Sequence, residues 1–441
     1  MRPMQAEERG AALTPPVPRL VPSTGTPRQL WPDAGPAGAP GSAPPSRSPE
    51  GGEASGTEVT LRLIDADVHA AVGRVLEEIL TDRLTRSRTM DALFTQELAA
   101  RVGQFTREGG KRIRSRLVWW SLRACGGADE SSAAAALRIG AAIELLQSCA
   151  LIHDDVMDGS ALRRGRPALH TVIRDSYAGT AAPERVGRFG DAAAVLAGDL
   201  ALAWADDAVA ETVLSPWTAT VVRRMWSDMR TEMVAGQYLD MQGQISPVRS
   251  LPRALRAACL KSALYSVERP LALGAAVAGA DAPTLRALCS AGRCVGMAFQ
   301  LRDDLNDVFG DPRHNGKPLG GDIREGKPTY LVALALAQAD KADDHAATGV
   351  LERALGNPEL SVRDLDEVRE VLEATGARAM VETKIERMAR TGFRHFDSAG
   401  LEPDAAARLR HLLAGVAGQP EPDTPHKAPA AHASAGTEGR R

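Results

Sequence analysis

Residues 144–170 read ELLQSCALIHDDVMDGSALRRGRPALH. Apolar side chains recur there at i, i+3 and i+4, the stripe of a helix with one buried face. The stripe runs straight into Asp154, Asp155 and Asp158, and then into Arg163, Arg164 and Arg166. Working outward, the whole middle of the chain repeats the pattern: it is rich in Ala and Leu, β-branched clusters are scarce, and breakers sit between segments of helical length. The spacing predicts helices over 65–81, 89–106, 111–125, 129–157, 191–213, 216–241, 251–279, 281–309, 328–337, 361–373 and 376–397. That many long helices give an all-α fold, a single large helical bundle around a central cavity. Aromatic residues are only 4% of the chain, so the core is expected to be Leu, Ala and Val with close helix approach.

The flanks differ. Residues 1–60 are dense in Pro, Gly, Ala and Ser, which cannot bury enough apolar surface to offset ordering entropy. They are expected to form a disordered tail, and residues 416–441 a second one, leaving 61–415 as one domain. Leu30 and Trp31, the bulky apolar pair of the first tail, mark where it would dock a partner or assembly. Net charge is −3, with 53 basic and 56 acidic residues, which argues against nucleic acid as a partner because phosphate affinity needs a Lys/Arg excess. The five cysteines are widely spread, no signal-peptide core opens the chain, and Cys289 and Cys294 lack zinc spacing. Buried thiols in a reducing cytoplasm are expected. The apolar run AAAVLAGDLALAWA is too short for a bilayer and carries Asp199, so no membrane span is expected.

Asp154 and Asp158 lie four apart, on one helix face, with Asp155 at its border. Such convergence suits a hard divalent cation, Mg²⁺, whose remaining positions are filled by diphosphate oxygens. A carboxylate group at a helix C-terminus opposes the helix dipole, so stability does not select it. The spacing returns in GMAFQLRDDLNDVFGDP, with Asp303, Asp304 and Asp307. Two such groups facing each other across a bundle would make a trinuclear-type metal site that grips a diphosphate leaving group. Basic clusters accompany them: GGKRIRSRL with Lys111 and Arg114, LRRGRP with Arg163 and Arg164, Lys261, and Lys317 with Lys327 in NGKPLGGDIREGKPT. Arginine offers forked recognition of phosphate, and Gly109 and Gly110 free backbone N–H groups for an anion.

With GGKRIRS, LIHDDVMD, LRRG, VLAGD, GQYLD, KSALYSVERPLALG, FQLRDDLND and GKPLGGDIREGKPT in this order, the chain resembles the trans-isoprenyl diphosphate synthases, the polyprenyl synthetase family, over about residues 65–415. The resemblance implies a helical bundle around a deep cavity, usually a homodimer. In it Mg²⁺, three ions per site with substrate bound, ionises an allylic diphosphate that isopentenyl diphosphate attacks head to tail. It also implies roles. Asp154, Asp158 and Asp303 bind metal most directly, with Asp155, Asp304 and Asp307 supporting. Arg163, Lys261, Ser262, Lys317 and Lys327 hold the allylic diphosphate, and Lys111, Arg114, Gln147 and Arg164 the isopentenyl diphosphate. Gln237, Lys261 and Gln300 flank the ionising carbon, and the released diphosphate takes the final proton. Cys149 and Ala150, five and four positions before Asp154, are small where a bulky aromatic would stop the product at C15, so geranylgeranyl diphosphate (C20) is the expected product.

Three positions depart from the family pattern: Gln147 replaces a frequent His, Ser115 ends the GGKRxRP motif, and Ser262 replaces Thr. His153 beside Asp154 imitates the HD pair of metal phosphohydrolases, but the rest of that constellation is missing. Two other functions compete. A class I terpene cyclase would carry an Asn/Asp, Ser/Thr, Glu triad in place of the second Asp group. A noncatalytic subunit or scaffold of an isoprenoid assembly would be free to lose metal ligands that this chain keeps.

Overall fold

The computed structural model describes residues 56–246, 249–311 and 319–418. All of them belong to one compact unit, Gly52–Arg441; the other unit, Met1–Gly51, and with it Leu30 and Trp31, lies outside the described residues. The fold is all-α. Its spine is the 28-residue helix Glu130–Met157, started by Asp129, whose carboxylate accepts from the Ser132 N–H at 2.8 Å. Around it pack Val68–Met90, Ile113–Ala124 and Pro183–Ala210. On the other side of Ile113–Ala124 lies Arg269–Val277, which leads on to Ala282–Phe309, and that helix packs against Ala377–Asp397.

Most expected helices are present with shifted ends. The expected stretch 251–279 is three pieces: Leu251–Ala258, a π-helical segment Cys259–Glu268, and Arg269–Val277. The π segment packs between the helices Pro216–Ile245 and Ala282–Phe309. Glycine makes this possible on both sides: a Cβ on Gly236 would stand 2.2 Å from the Lys261 nitrogen, and one on Gly296 would stand 2.6 Å from the Ala263 carbonyl oxygen.

Three corrections concern elements. Helix Gly56–Ala66 begins inside the stretch expected to be tail, because Leu61 and Ile64 bury against the helices beyond it. Helices Leu169–Ser176, His345–Ala354 and Pro403–Val416 were not expected from periodicity; the first two are only 8 and 10 residues long. A small hairpin pairs Leu162–Arg163 with Arg166–Pro167. Finally, among the described residues one helix, Glu130–Met157, is long and apolar enough to cross a membrane, yet 72% of its most apolar window is buried inside the fold. It is the core helix of the bundle, and its length outran the apolar run singled out from sequence.

Candidate active site

A cavity of about 580 Å³ opens between the ends of the two Asp-bearing helices. The Glu130–Met157 helix delivers Asp154 to its wall, and Ala282–Phe309 delivers Asp303 and Asp304. Lys261, Ser262, Gln237, Gln300, Gln147, Arg114, Arg163 and Lys327 also line it, as do Cys149 and Ala150, so ten further residues singled out from sequence come together there.

The two Asp groups divide their labour in the same way. The first member faces the cavity. Asp154 Oδ1 accepts from Lys261 Nζ at 3.3 Å and Gln237 Nε2 at 3.2 Å, and its Oδ2 from Arg163 at 3.3 Å. The second member is buried and orients a neighbour: Asp155 accepts from Arg163 Nε at 2.8 Å, and Asp304, which still touches the cavity, from Gln300 Nε2 at 2.8 Å. The last member ties down the segment 319–327. Asp158 accepts from Lys327 Nζ at 3.0 Å, while Asp307 accepts the backbone N–H groups of Gly321 and Asp322 at 3.2 and 3.1 Å. Asp307, expected among the supporting metal residues, also holds the first two N–H groups of the short helix Gly321–Arg324.

Electrostatics follow from this layout. Burial works against the Asp154 carboxylate, but Lys261, Lys327 and Arg163 together outweigh it and hold the carboxyl below its ordinary value. Burial also opposes the ammonium of Lys327, and Asp322, Asp158, Asp240 and Glu325 overcome it, raising its pKa. On the second wall burial prevails: burial and then Asp322 push the Asp307 carboxyl up to about 7 against Lys327 and two backbone N–H groups, and burial with Asp322, Asp303 and Asp240 pushes Asp304 well above the usual carboxylate range against the Gln300 amide. The donors are all oxygen, as a hard ion requires. Among the described residues no three side chains close into a metal cage. An ion in this cavity would therefore keep open positions for water and phosphate.

Arg163 owes its position to the hairpin. The two-residue turn Arg164-Gly165 has both residues at positive φ, 54° and 74°, which suits the right-handed twist of a tight hairpin and points Arg163 back at the Asp154 helix. Arg164 is exposed, and its guanidinium lies 3.2 Å from where a Cβ on Gly110 would be, so the glycine pair of GGKR makes room for it. Lys111 is exposed and is not among the cavity-lining residues; Lys317 lies outside the described residues. Arg114 donates to Ser266 Oγ at 2.8 Å and lies over the Tyr265 ring, whose hydroxyl donates to Gln147 Oε1 at 2.9 Å. Ser115 is buried and donates to the Gly140 carbonyl at 2.9 Å, so it is a packing residue. His153 meets the Val195 carbonyl at 3.0 Å, where Gly198 leaves space for its ring, and no phosphohydrolase constellation surrounds it.

Sequence reasoning missed Asp240, Asp322 and Tyr265. Asp240 accepts from Lys261 Nζ at 2.6 Å. Its signal was available: it stands three residues after Gln237 in GQYLD, on the same helical face. Tyr265 had none, because its partner Gln147 is 118 residues away.

The fold and site define a helical enzyme whose cavity pairs two carboxylate walls with interleaved cations. Comparison with known proteins agrees. The polyprenyl synthetase family model matches residues 95–372. A short chain isoprenyl diphosphate synthase of Methanothermobacter thermautotrophicus is 34% identical over 257 residues, covering 55% of this chain and 68% of the relative. A (2E,6E)-farnesyl diphosphate synthase of Mycobacterium bovis is 30% identical over 303 residues, 69% of this chain and 78% of the relative. The structure of a geranylgeranyl pyrophosphate synthase from Corynebacterium glutamicum, complexed with isoprenyl diphosphate and magnesium, superposes with a TM-score of 0.73 at 36% identity, covering 78% of this chain and 98% of that one. The chain belongs to the polyprenyl synthetase family. It is a prenyltransferase of the trans-isoprenyl diphosphate synthase type.

Proposed function

We propose that the protein condenses isopentenyl diphosphate head to tail with an allylic diphosphate (dimethylallyl, geranyl or farnesyl) and releases chiefly geranylgeranyl diphosphate. The observation that carries this reading is the cavity itself: Asp154 and Asp303 stand at its mouth with Lys261, Lys327 and Arg163, and small Cys149 and Ala150 line it further in. Bound Mg²⁺, three ions per site in this reading, would be held most directly by Asp154, Asp158 and Asp303 and would supply charge neutralisation at the departing diphosphate. The chain's own cations do the rest. Lys261, Lys327 and Arg163 exchange their carboxylate partners for the allylic diphosphate, which Ser262 and Lys317 also receive. Arg114, Gln147, Arg164 and Lys111 receive the isopentenyl diphosphate. Tyr265 occupies the Gln147 carbonyl, so the amide N–H₂ is left to donate, which gives the replacement of His a role. Gln237 and Gln300 present oriented dipoles near the ionising carbon, and the leaving diphosphate takes the final proton.

The enzyme is read as a cytoplasmic homodimer. All five cysteines are free thiols, as a reducing compartment keeps them. Phe189 and Leu196, seven apart on Pro183–Ala210, are exposed on one face, the kind of surface a second copy covers. Leu196→Glu is expected to shift the wild-type dimer to monomer in analytical ultracentrifugation; a monomeric wild type contradicts the pairing. The activity is tested by incubating the protein with Mg²⁺, radiolabelled isopentenyl diphosphate and each allylic starter. Longer prenyl diphosphates support the proposal, cyclic hydrocarbons would make it a terpene cyclase, and no product would make it a noncatalytic subunit.

A further inference from the structure

The wall of the cavity is not all hydrocarbon. Arg230 lines it beside Leu202, Met233 and Val234. Its guanidinium is ion-paired to Asp206 of the helix Pro183–Ala210, and Trp226 Nε1 donates to the same carboxylate at 2.7 Å. Arg230 Nε is buried and has no hydrogen-bond partner among the described residues.

The depth of this group follows from helix geometry. The hydrogen bond from Gln237 to Asp154 aligns their two helices at the ionising end. Arg230 is seven residues before Gln237, about 10 Å along the helix axis, whereas Cys149 is five before Asp154, about 7 Å. The helix carrying Asp206 runs antiparallel to the spine: His153 meets Val195 near the mouth, and Arg138 reaches the Ala208 carbonyl at 3.2 Å at the far end. Asp206, two residues before Ala208, therefore sits near that far end. A growing tail passes Cys149 and Ala150, then Leu202, and then meets a charged pair.

We infer that the Arg230–Asp206 pair, braced by Trp226, is the floor of the prenyl channel and sets the length at which growth stops. The inference rests on the prenyltransferase reading above and adds the specificity residue of the same site. The stop is electrostatic more than steric. Covering Arg230 with hydrocarbon strips solvent from a guanidinium that already has one unpaired N–H, and no group on an isoprenoid tail can repay that cost.

The test separates charge from bulk. Wild type, Arg230→Lys, Arg230→Gln and the double variant Arg230→Met/Asp206→Leu are each given farnesyl diphosphate, labelled isopentenyl diphosphate and Mg²⁺. Products are dephosphorylated and resolved by chain length, as fractions of total incorporation. Arg230→Lys, which keeps the charge, is expected to keep the wild-type distribution. Arg230→Gln and the double variant are expected to raise the share of products longer than the wild-type limit by about fivefold or more. Circular dichroism identifies any variant that fails to fold, and Arg230→Gln, which has as many side-chain heavy atoms as Arg230→Lys but no charge, then decides by comparison with it. A wild-type distribution from folded Arg230→Gln overturns the floor. A wild type that makes no prenyl product overturns the enzymatic reading and the floor with it.

Discussion

Asp154 is where the chemistry of the site is concentrated, since it accepts from Lys261, Gln237 and Arg163 at once. Asp154→Asn keeps the shape and removes the charge, and turnover is expected to fall by about 10²–10³-fold. Folding should survive, with a melting temperature within a few degrees of wild type; near-normal turnover at saturating Mg²⁺ and allylic substrate would refute the role. Cys149 offers a second handle. Cys149→Phe adds bulk to the channel and is expected to shift products shorter by about one isoprene unit, read by chromatography of the dephosphorylated products. An unchanged or longer product would displace the channel from this face. Spacing alone singled out all six aspartates. It could not assign their separate tasks, because what distinguishes Asp154 from Asp155 and Asp158 is which of Lys261, Arg163 and Lys327 each one meets, and Lys261 and Lys327 come from distant parts of the chain.

The π-helical segment Cys259–Glu268 is the element that turns packing into catalysis. Its wider turn carries Lys261, Ser262 and Tyr265, and its backbone is pressed between Gly236 and Gly296. Gly236→Ala should force that backbone aside and misplace Lys261. Activity is expected to drop by about tenfold or more, at a modest loss of stability in denaturant titration. Full activity would mean that the segment can shift without consequence. Periodicity foresaw one helix through 251–279 because no Gly or Pro breaker marks the junction at Cys259 as an end of the helix. Only the close approach of the neighbouring helices reveals it, and GQYLD holds the clue in its glycine. The hairpin at Arg164-Gly165 was hidden for a related reason: four strand residues are too few for alternation to register, and its basic residues read as an anion cluster.

At the scale of the whole molecule, the burial of Asp307 beside Asp322 gives stability a pH dependence. Burial and then Asp322 place the Asp307 carboxyl at about 7 in the folded protein, against about 3.9 in an unfolded chain. A raised folded value means the folded state keeps a proton that the unfolded state releases. The contribution is complete below roughly pH 4 and is lost as pH rises through about 7. Metal-free wild type is therefore expected to lose melting temperature between roughly pH 4 and 7, and Asp307→Asn to lose less, by calorimetry; parallel curves would count against it. A different consequence follows from the spine helix. Glu130–Met157 has the apolar length of a membrane span, and Pro183–Ala210, which covers much of it, ends some 50 residues later. Val68–Met90 and Ile113–Ala124 are already made, but at about 5–20 residues per second the face that Pro183–Ala210 covers stays open for about 3 to 10 s in every round of synthesis. The hazard of this fold is thus one of timing: each nascent chain must cross an interval in which its future core resembles cargo for a lipid bilayer.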